Sequence, residues 1–341
     1  MAVVVQLPVR RRADSREQFM PYRCSMYGLG VVSNEIIPGV PPTPTASDDI
    51  CITFSSLPSW LDEVSTNQIE TYVADYNDEC GNPVLRMFSV LEGKYFRFTY
   101  SDQTEFLVDR CGKEVWAKWA EPLTIEDTAT YLLGPVMGFV MLLRGVVCLH
   151  ASAIAVGDKA IALLGPAGSG KSTTAAAFSE RGYSVLAEDV VTLDDRGRSF
   201  LVRPGYPCIR LWPASVKALY GSETHLPKLT PNWDKCYLDL KEQFYAEPLP
   251  LAAIYHLGER RHDTSAPLVK TLDRSEGLLS LIANTYATKL MDKRMRAREF
   301  ELLTRVMNNV PLRRITPHAD PARIPELCGT ILNDFRKEDD S

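Results

Sequence analysis

Gly165-Pro-Ala-Gly-Ser-Gly170-Lys171-Ser172 carries glycine, glycine, lysine and serine at the four fixed positions of G-x-x-x-x-G-K-[ST]. The apolar run 160–164 (AIALL) leads into it, and the helix-forming run 171–180 (KSTTAAAFSE) leads out. A strand that turns through glycines straight into a helix leaves few folds open. The glycines let the backbone take positive φ, so that successive N–H groups point inward, and the helix start adds its positive dipole end. Such a concavity holds phosphate oxygens. Within it Lys171 is placed to reach β and γ phosphates, and the Ser172 hydroxyl to take a position on Mg²⁺. The binding set is then Gly165, Pro166, Ala167, Gly168, Ser169, Gly170, Lys171, Ser172 and Thr173. Four fixed positions arise by chance in a chain of this length on the order of one time in a hundred at average residue usage. The flanking strand and helix lower that further. The bland alternative is a glycine-rich turn with a surface lysine.

The neighbouring residues extend the pattern. Residues 146–156 are strand-like, Gly157-Asp158 is a two-residue hairpin signal, and 159–164 form the returning strand. After the helix, Arg181-Gly182 closes it, and strand 183–187 ends in Glu188-Asp189. Asp189 follows Ser172 by 17 residues, one helix and one turn away. Two carboxylates beside a triphosphate can divide the work, one holding Mg²⁺ and the other accepting the proton of an attacking hydroxyl. Neighbours on a strand point to opposite faces, so both serve one site only if the chain turns there. Asp189 is the one expected to face the γ-phosphate; a solvated strand end is the alternative. His150, 21 residues before Lys171, would by itself be read as a hydrogen-bonded core histidine. Its hairpin partner runs into the cradle, however, and an antiparallel neighbour can bring the imidazole beside the phosphates or the base.

Composition sets the outer limits. With 45% hydrophobic and 24% charged residues over 341 positions the chain is globular and long enough for about two domains. Its 38 Lys+Arg against 43 Asp+Glu leave a net charge of −5 and no basic tail, which argues against nucleic acid as a partner. Eight cysteines without a CxxC pair fit reduced thiols in a cytoplasmic protein. The opening MAVVVQLPVRRRADSR puts its apolar stretch before its arginines, the reverse of a secretory signal. Residues 131–149 are apolar over 19 positions. Arg144 would cost about 2.5–3.5 kcal/mol near a bilayer centre. With Gly134, Pro135, Gly138 and Gly145 also inside, a buried helix running into a core strand is expected, and no membrane partner.

The first twenty residues read as a loose arm. From 22 to 123 the texture is of short strands and turns, with a Pro-rich loop at 36–49 and period-2 alternation at Phe96, Phe98 and Tyr100. Residues 1–123 are expected to form a β-rich domain for binding a partner or peptide, without a catalytic cluster. Thr124 and Asp127 have capping-box spacing ahead of a helix. Residues 276–309 read as one or two helices, and 323–337 as a last one. The cluster Lys289, Lys293, Arg294, Arg296 and Arg298 is a solvated face or, alternatively, a contact for phosphate or an acidic peptide. There are no internal repeats.

The segment LHASAIAVGDKAIALLGPAGSGKSTTAAAFSERGYSVLAEDVVTL resembles the catalytic core of the HPr kinase/phosphorylase family. The likeness is strong over residues 145–194 and loose over the rest of the C-terminal part. MYGLGVVSNEIIPGV, GYPCIRLWP, DKCYLDL and PLAAIYHLGER further resemble HPr-kinase-like proteins encoded in ribosomal-peptide gene clusters, lasso peptide clusters included. The resemblance implies an α/β fold: an HPr-kinase-like P-loop kinase domain over 124–341 and a smaller β-rich N-terminal domain over 1–123. It implies an ATP-dependent serine kinase acting on a precursor peptide or small protein, with ATP and Mg²⁺ as cofactors and assembly into a homo-oligomer. Asp189 matches the general base, His150 the active-site histidine, Lys171 the loop lysine, and Ser172, Glu188 and Asp189 the metal positions.

The sequence also departs from that family. Glu188 stands for an aspartate, and Cys208-Ile-Arg210-Leu-Trp replaces a Glu-Ile-Arg-Gly-Leu-Gly-type signature, so that Arg210 lacks the carboxylate partner of the signature. HPr itself is therefore not the expected target, and no reverse phosphorylase activity is expected. Arg210 and Lys235 are weaker candidates for phosphate or peptide contacts, each more often a surface charge. Two other classes stay open: a small-molecule kinase or nucleotide hydrolase, and a non-catalytic nucleotide-binding module.

Overall fold

The computed structural model describes residues 21–64, 67–221 and 226–339. The arm expected over the first twenty lies outside them. The fold is mixed α/β with several sheets. Among the described residues the N-terminal part builds eight strands: β1 (Tyr22–Met26), β2 (Leu29–Ser33), β3 (Ile50–Thr53), β4 (Gln68–Val73), β5 (Leu85–Val90), β6 (Tyr95–Tyr100), β7 (Glu105–Asp109) and β8 (Glu114–Lys118). Their spatial order is β1-β2-β3-β8-β7-β6-β5-β4, and a short helix α1 (Trp60–Val64) joins β3 to β4. The alternation around Phe98 has its expected cause: Phe98 and Tyr100 are buried while Thr99 is half-exposed.

That buried face packs on α2 (Ile125–Tyr131) and α3 (Met137–Leu143). Phe96 and Phe98 both meet the Phe139 ring edge-on, at centroid distances of 5.1 and 5.2 Å. The Asp127 carboxylate accepts the Thr124 N–H at 2.8 Å and so closes the helix start. Between α2 and α3 the chain loosens into one π-helical turn, Leu132–Val136, around Pro135, which has no N–H to give to the ladder. The apolar run 131–149 is thus a buried helix pair leading into a strand. Its charge, Arg144, donates to the Gly112 carbonyl at 3.2 Å and pairs with Asp49 at 3.9 Å. No helix among the described residues is long and apolar enough to cross a membrane.

The second sheet begins with β9 (Val147–Val156), which turns at Gly157-Asp158 and returns antiparallel as β10 (Lys159–Leu164). Helix α4 (Lys171–Glu180) then leads to β11 (Val185–Ala187) and β12 (Val190–Asp195), both lying along β9 on the side away from β10. β13 (Phe200–Val202) follows β12, and β14 (Cys208–Leu211) pairs with β15 (Cys236–Asp239) as a separate two-stranded piece flanking α5 (Pro213–Tyr220). β16 (Leu249–Leu257) runs parallel to β10 and also meets β13, so the pairings close on themselves. β17 (Leu268–Thr271), α6 (Arg274–Ala283), α7 (Lys293–Asn309), β18 (Leu312–Thr316) and α8 (Ile324–Asp339) complete the chain.

Both faces of β10 are covered, which is why it reads as a continuous apolar run. Ile161 and Leu163 face α4 and α8, through Phe178, Ile331 and Leu332. Ala160, Ala162 and Leu164 face the α6 and α7 side, through Leu281, Leu303 and Val306. Each large apolar side chain buried there contributes about 1.5–3 kcal/mol, which anchors the C-terminal end of β10 and the turn that follows it. The helices expected over 276–309 are α6 and α7. Lys293, Arg294, Arg296 and Arg298 lie exposed, and Lys289 pairs with Asp75 at 2.6 Å in solvent, the solvated-face alternative. Cys24, Cys148, Cys208 and Cys328 are buried thiols.

Candidate active site

β10 ends at Leu164, and the chain turns through Gly165–Gly170 into α4. Gly170 has φ +104°, a conformation L side chains rarely adopt, and a Cβ at Gly165 would stand 3.0 Å from the Leu257 carbonyl oxygen. The Lys171 side chain lies back across the turn and donates to the carbonyls of Gly165 at 2.8 Å and Pro166 at 3.1 Å. Burial pulls its ammonium below the ordinary lysine range, and the nearby Asp189 and Glu188 only partly offset this. Ser172 donates its hydroxyl to Glu188 Oε1 at 2.6 Å, and Thr173 donates to the Ser215 hydroxyl at 2.8 Å.

β11 and β12 are two halves of one strand broken at Glu188-Asp189, and the break is backbone strain. Asp189 sits at φ +68°, and the Val190 N–H folds back to the Glu188 carbonyl at 2.8 Å. The turn that would let two adjacent acids serve one site is therefore present. Glu188 reaches toward α4 and Ser172. Asp189 is turned the other way, with Oδ1 3.3 Å from His150 Nε2, while Oδ2 accepts the Arg210 guanidinium at 2.5 Å and the Tyr286 hydroxyl at 3.0 Å.

Arg210 is not a surface charge: its side chain is 8% exposed. It bridges the two acids, with Nε 3.6 Å from Glu188 Oε2. The carboxylate partners it lacks in the local sequence come from the Glu188-Asp189 turn. For Asp189, burial alone would push the carboxyl up, but the Arg210 guanidinium and His150 outweigh it and hold the carboxyl well below the usual range. For Glu188 burial wins over Arg210, and the carboxyl is pushed up. Lys235, just before β15, has its ammonium 5.1 Å from the centre of the Trp212 ring. Burial, then Arg210, pull its ammonium down.

The Mg²⁺ expected from the sequence can be tested on this donor set. Glu188 Oε2 is buried without a hydrogen bond, next to the Ser172–Glu188 contact. One carboxylate and one hydroxyl fit Mg²⁺, which takes few protein ligands and fills the rest with water and phosphate oxygens. Asp189 has its oxygens on Arg210, Tyr286 and His150, so Ser172 and Glu188 are the pair left for a metal. Among the described residues no group of three His, Cys, Asp or Glu side chains forms a closed cage.

No family model and no curated protein matches the chain. The solved HPr(Ser) kinase/phosphatase from Coxiella burnetii aligns with 57% of this chain and 99% of its own, at 13% identity and a TM-score of 0.32.

Tyr286 escapes the sequence reading. It lies after α6, where residues 284–286 run along the end of β9 that β10 leaves uncovered: the His150 N–H donates to the Asn284 carbonyl, and the Tyr286 N–H to the Cys148 carbonyl. Its ring stands edge-on to His150 at 5.7 Å. The available signal is Gly134-x-x-x-Gly138, one face of the π turn and α3. A Cβ on Gly138 would come within 2.5 Å of the Tyr286 ring, and one on Gly134 within 3.2 Å of Asp189 Oδ2. Those two glycines read as interruptions of an apolar run; their use is to let a helix pass close to an acid and a phenol.

Proposed function

We propose that the protein is an ATP-dependent phosphotransferase that moves a γ-phosphoryl group to a hydroxyl, with a P-loop kinase domain over 124–341 carrying the chemistry. The observation that carries this reading is the Ser172–Glu188 bond of 2.6 Å directly beneath a glycine turn that opens a helix, with Asp189 and His150 alongside. Backbone N–H groups of the turn and Lys171 would hold the triphosphate, and Ser172 with Glu188 would hold Mg²⁺. Bound there, the metal supplies charge neutralisation for the phosphates.

Asp189 is kept as an anion by Arg210 and Tyr286 on one oxygen. Oδ1 is left facing His150, and it is the atom to take the proton of an acceptor hydroxyl, with His150 Nε2 orienting that hydroxyl. Arg210 is then a positioning residue, and Lys235 the cation that remains for the departing or arriving phosphate.

The acceptor class is a serine of a peptide or small protein, with the β-rich part over 1–123 as the surface that receives it. The finer reading, a ribosomal precursor peptide of the lasso type, rests on the sequence resemblance, as does a homo-oligomer. Nucleic acid and membrane play no part in it. The test is incubation of the purified chain with ATP, Mg²⁺ and a serine-peptide library, read by mass spectrometry for added phosphate. A phosphorylated serine is expected in the wild type and none in Lys171→Ala. ATP consumption that runs equally fast without any peptide would transfer the assignment to a hydrolase or a small-molecule kinase.

A further inference from the structure

A second depression opens on the side of α4 away from the acids. Successive residues of an α-helix are turned by about 100°. Lys171 and Ser172 therefore point to one side of the α4 start, the side of Glu188, and Gly170, Thr173 and Thr174 point to the other. On that other side lies a pocket of ≈ 180 Å³. Its walls come from α5 (Ala214, Ser215, Ala218), from Pro317 after β18, and from Ile324 and Leu327 of α8. The Thr173–Ser215 hydroxyl bond at 2.8 Å ties the cradle helix to the α5 wall.

Three properties describe what would enter. The pocket is mostly apolar and, at ≈ 180 Å³, smaller than the roughly 300–1,000 Å³ of sites that take a whole drug-sized ligand, so it suits a flat ring rather than a complete nucleotide. Arg260 lines it too, lying over Gly170 with its guanidinium 3.5 Å from the Ser169 carbonyl oxygen, and a planar guanidinium stacks on aromatic faces. The pocket also shares Ser169, Gly170 and Thr173 with the cradle, so that a group leaving the phosphates on the side opposite Glu188 passes directly into it. We propose that this pocket is the nucleoside subsite: the base of the nucleotide lies between Arg260 and the α5–α8 wall while its phosphates occupy the turn. The proposal rests on the nucleotide reading of the cradle. The other cleft beside the turn, ≈ 640 Å³, is lined by turn residues 166–169, by the last residues of β16 and β18, and by Arg260, Arg261 and Arg314; it contains no residue of α4 and is polar and cationic, suited to phosphate rather than to a ring.

The test compares two probes on the full chain by calorimetry, ATP and inorganic tripolyphosphate, each with Mg²⁺. In the wild type ATP should bind at least about tenfold more tightly than tripolyphosphate. Ala218→Trp, which fills the pocket, should weaken ATP about tenfold or more and leave tripolyphosphate within about twofold. Ala319→Trp, on the Pro317 side, should do the same and stands in if the first variant does not fold. Lys171→Ala should weaken both probes together. ATP affinity unchanged in a folded pocket-filling variant, or a wild type that binds the two probes equally, overturns the subsite and leaves the cradle standing. A wild type that binds neither probe removes the subsite and the nucleotide reading at once.

Discussion

The phosphate turn and the Asp189 cluster sit side by side and are built in opposite ways. The turn is one contiguous stretch, Gly165–Ser172, whose working groups are mostly backbone N–H and one lysine. The cluster takes a histidine from β9, two acids from a strained break between β11 and β12, an arginine from β14, and a phenol from the segment after α6. Tyr286 and Asp189 are 97 residues apart in the chain. A local device depends on φ angles that a few glycines permit. A non-local one depends on four packed elements agreeing in position, so it should be the more fragile of the two and should fail through its buried charges.

That contrast can be broken by mutation. The largest effect is expected for Asp189→Asn, which should lower phosphoryl transfer by about 10²–10⁴-fold while calorimetry finds ATP affinity unchanged; transfer at the wild-type rate would remove Asp189 from the chemistry. Arg210→Met comes next. It leaves the buried Glu188 and the half-buried Asp189 without their cation and should cost up to about 3–5 kcal/mol in urea unfolding. The double variant with Asp189→Asn should lose less than the sum of the two single changes, and strict additivity would mean that the pair is not coupled.

Tyr286→Phe keeps the ring against Gly138 and removes only the hydroxyl bond to Asp189. A loss of about 1 kcal/mol is expected, with kcat reduced and KM for ATP unmoved. If KM moves instead, the phenol acts on the turn and the two regions are not separable.

The smallest effect is a pH dependence. The Asp189 carboxyl is held below its ordinary 3.8 in the folded chain, so the ion pair stabilises the fold fully above that value and the stabilisation is lost as pH falls below it. The stability advantage of the wild type over Asp189→Asn should stay constant from about pH 6 to about pH 4 and shrink progressively below that, and a gap that stays constant to about pH 2 would contradict the pairing.

Much of the fold was legible where a pattern is local. The β9–β10 hairpin announced itself through Gly157-Asp158, α4 through its alanine-rich run, and the Thr124 start through Asp127 three residues on. The apolar run 131–149 could be read as buried because Arg144 and Pro135 are poor tenants of lipid. Arg210 reads from the sequence only as a weaker candidate for a phosphate or peptide contact, with a surface charge as the alternative, since nothing within Cys208–Trp212 supplies a carboxylate. The partners arrive from 21 residues earlier, across a strand break that no propensity scale marks. Tyr286 was invisible for the same reason, and Gly134 and Gly138 could be counted but not interpreted until the ring they accommodate was in view.

What the amino-acid sequence determined by itself was the phosphate turn and the helix behind it, because positive φ, N–H direction and helix dipole are properties of consecutive residues. Tertiary structure alone decided what the two acids do. Glu188 and Asp189 are chemically near-equivalent neighbours, yet burial against α4 raises one carboxyl and an arginine from β14 lowers the other. That division of roles comes from desolvation and from a charge delivered across space, and neither is written in the order of residues around them.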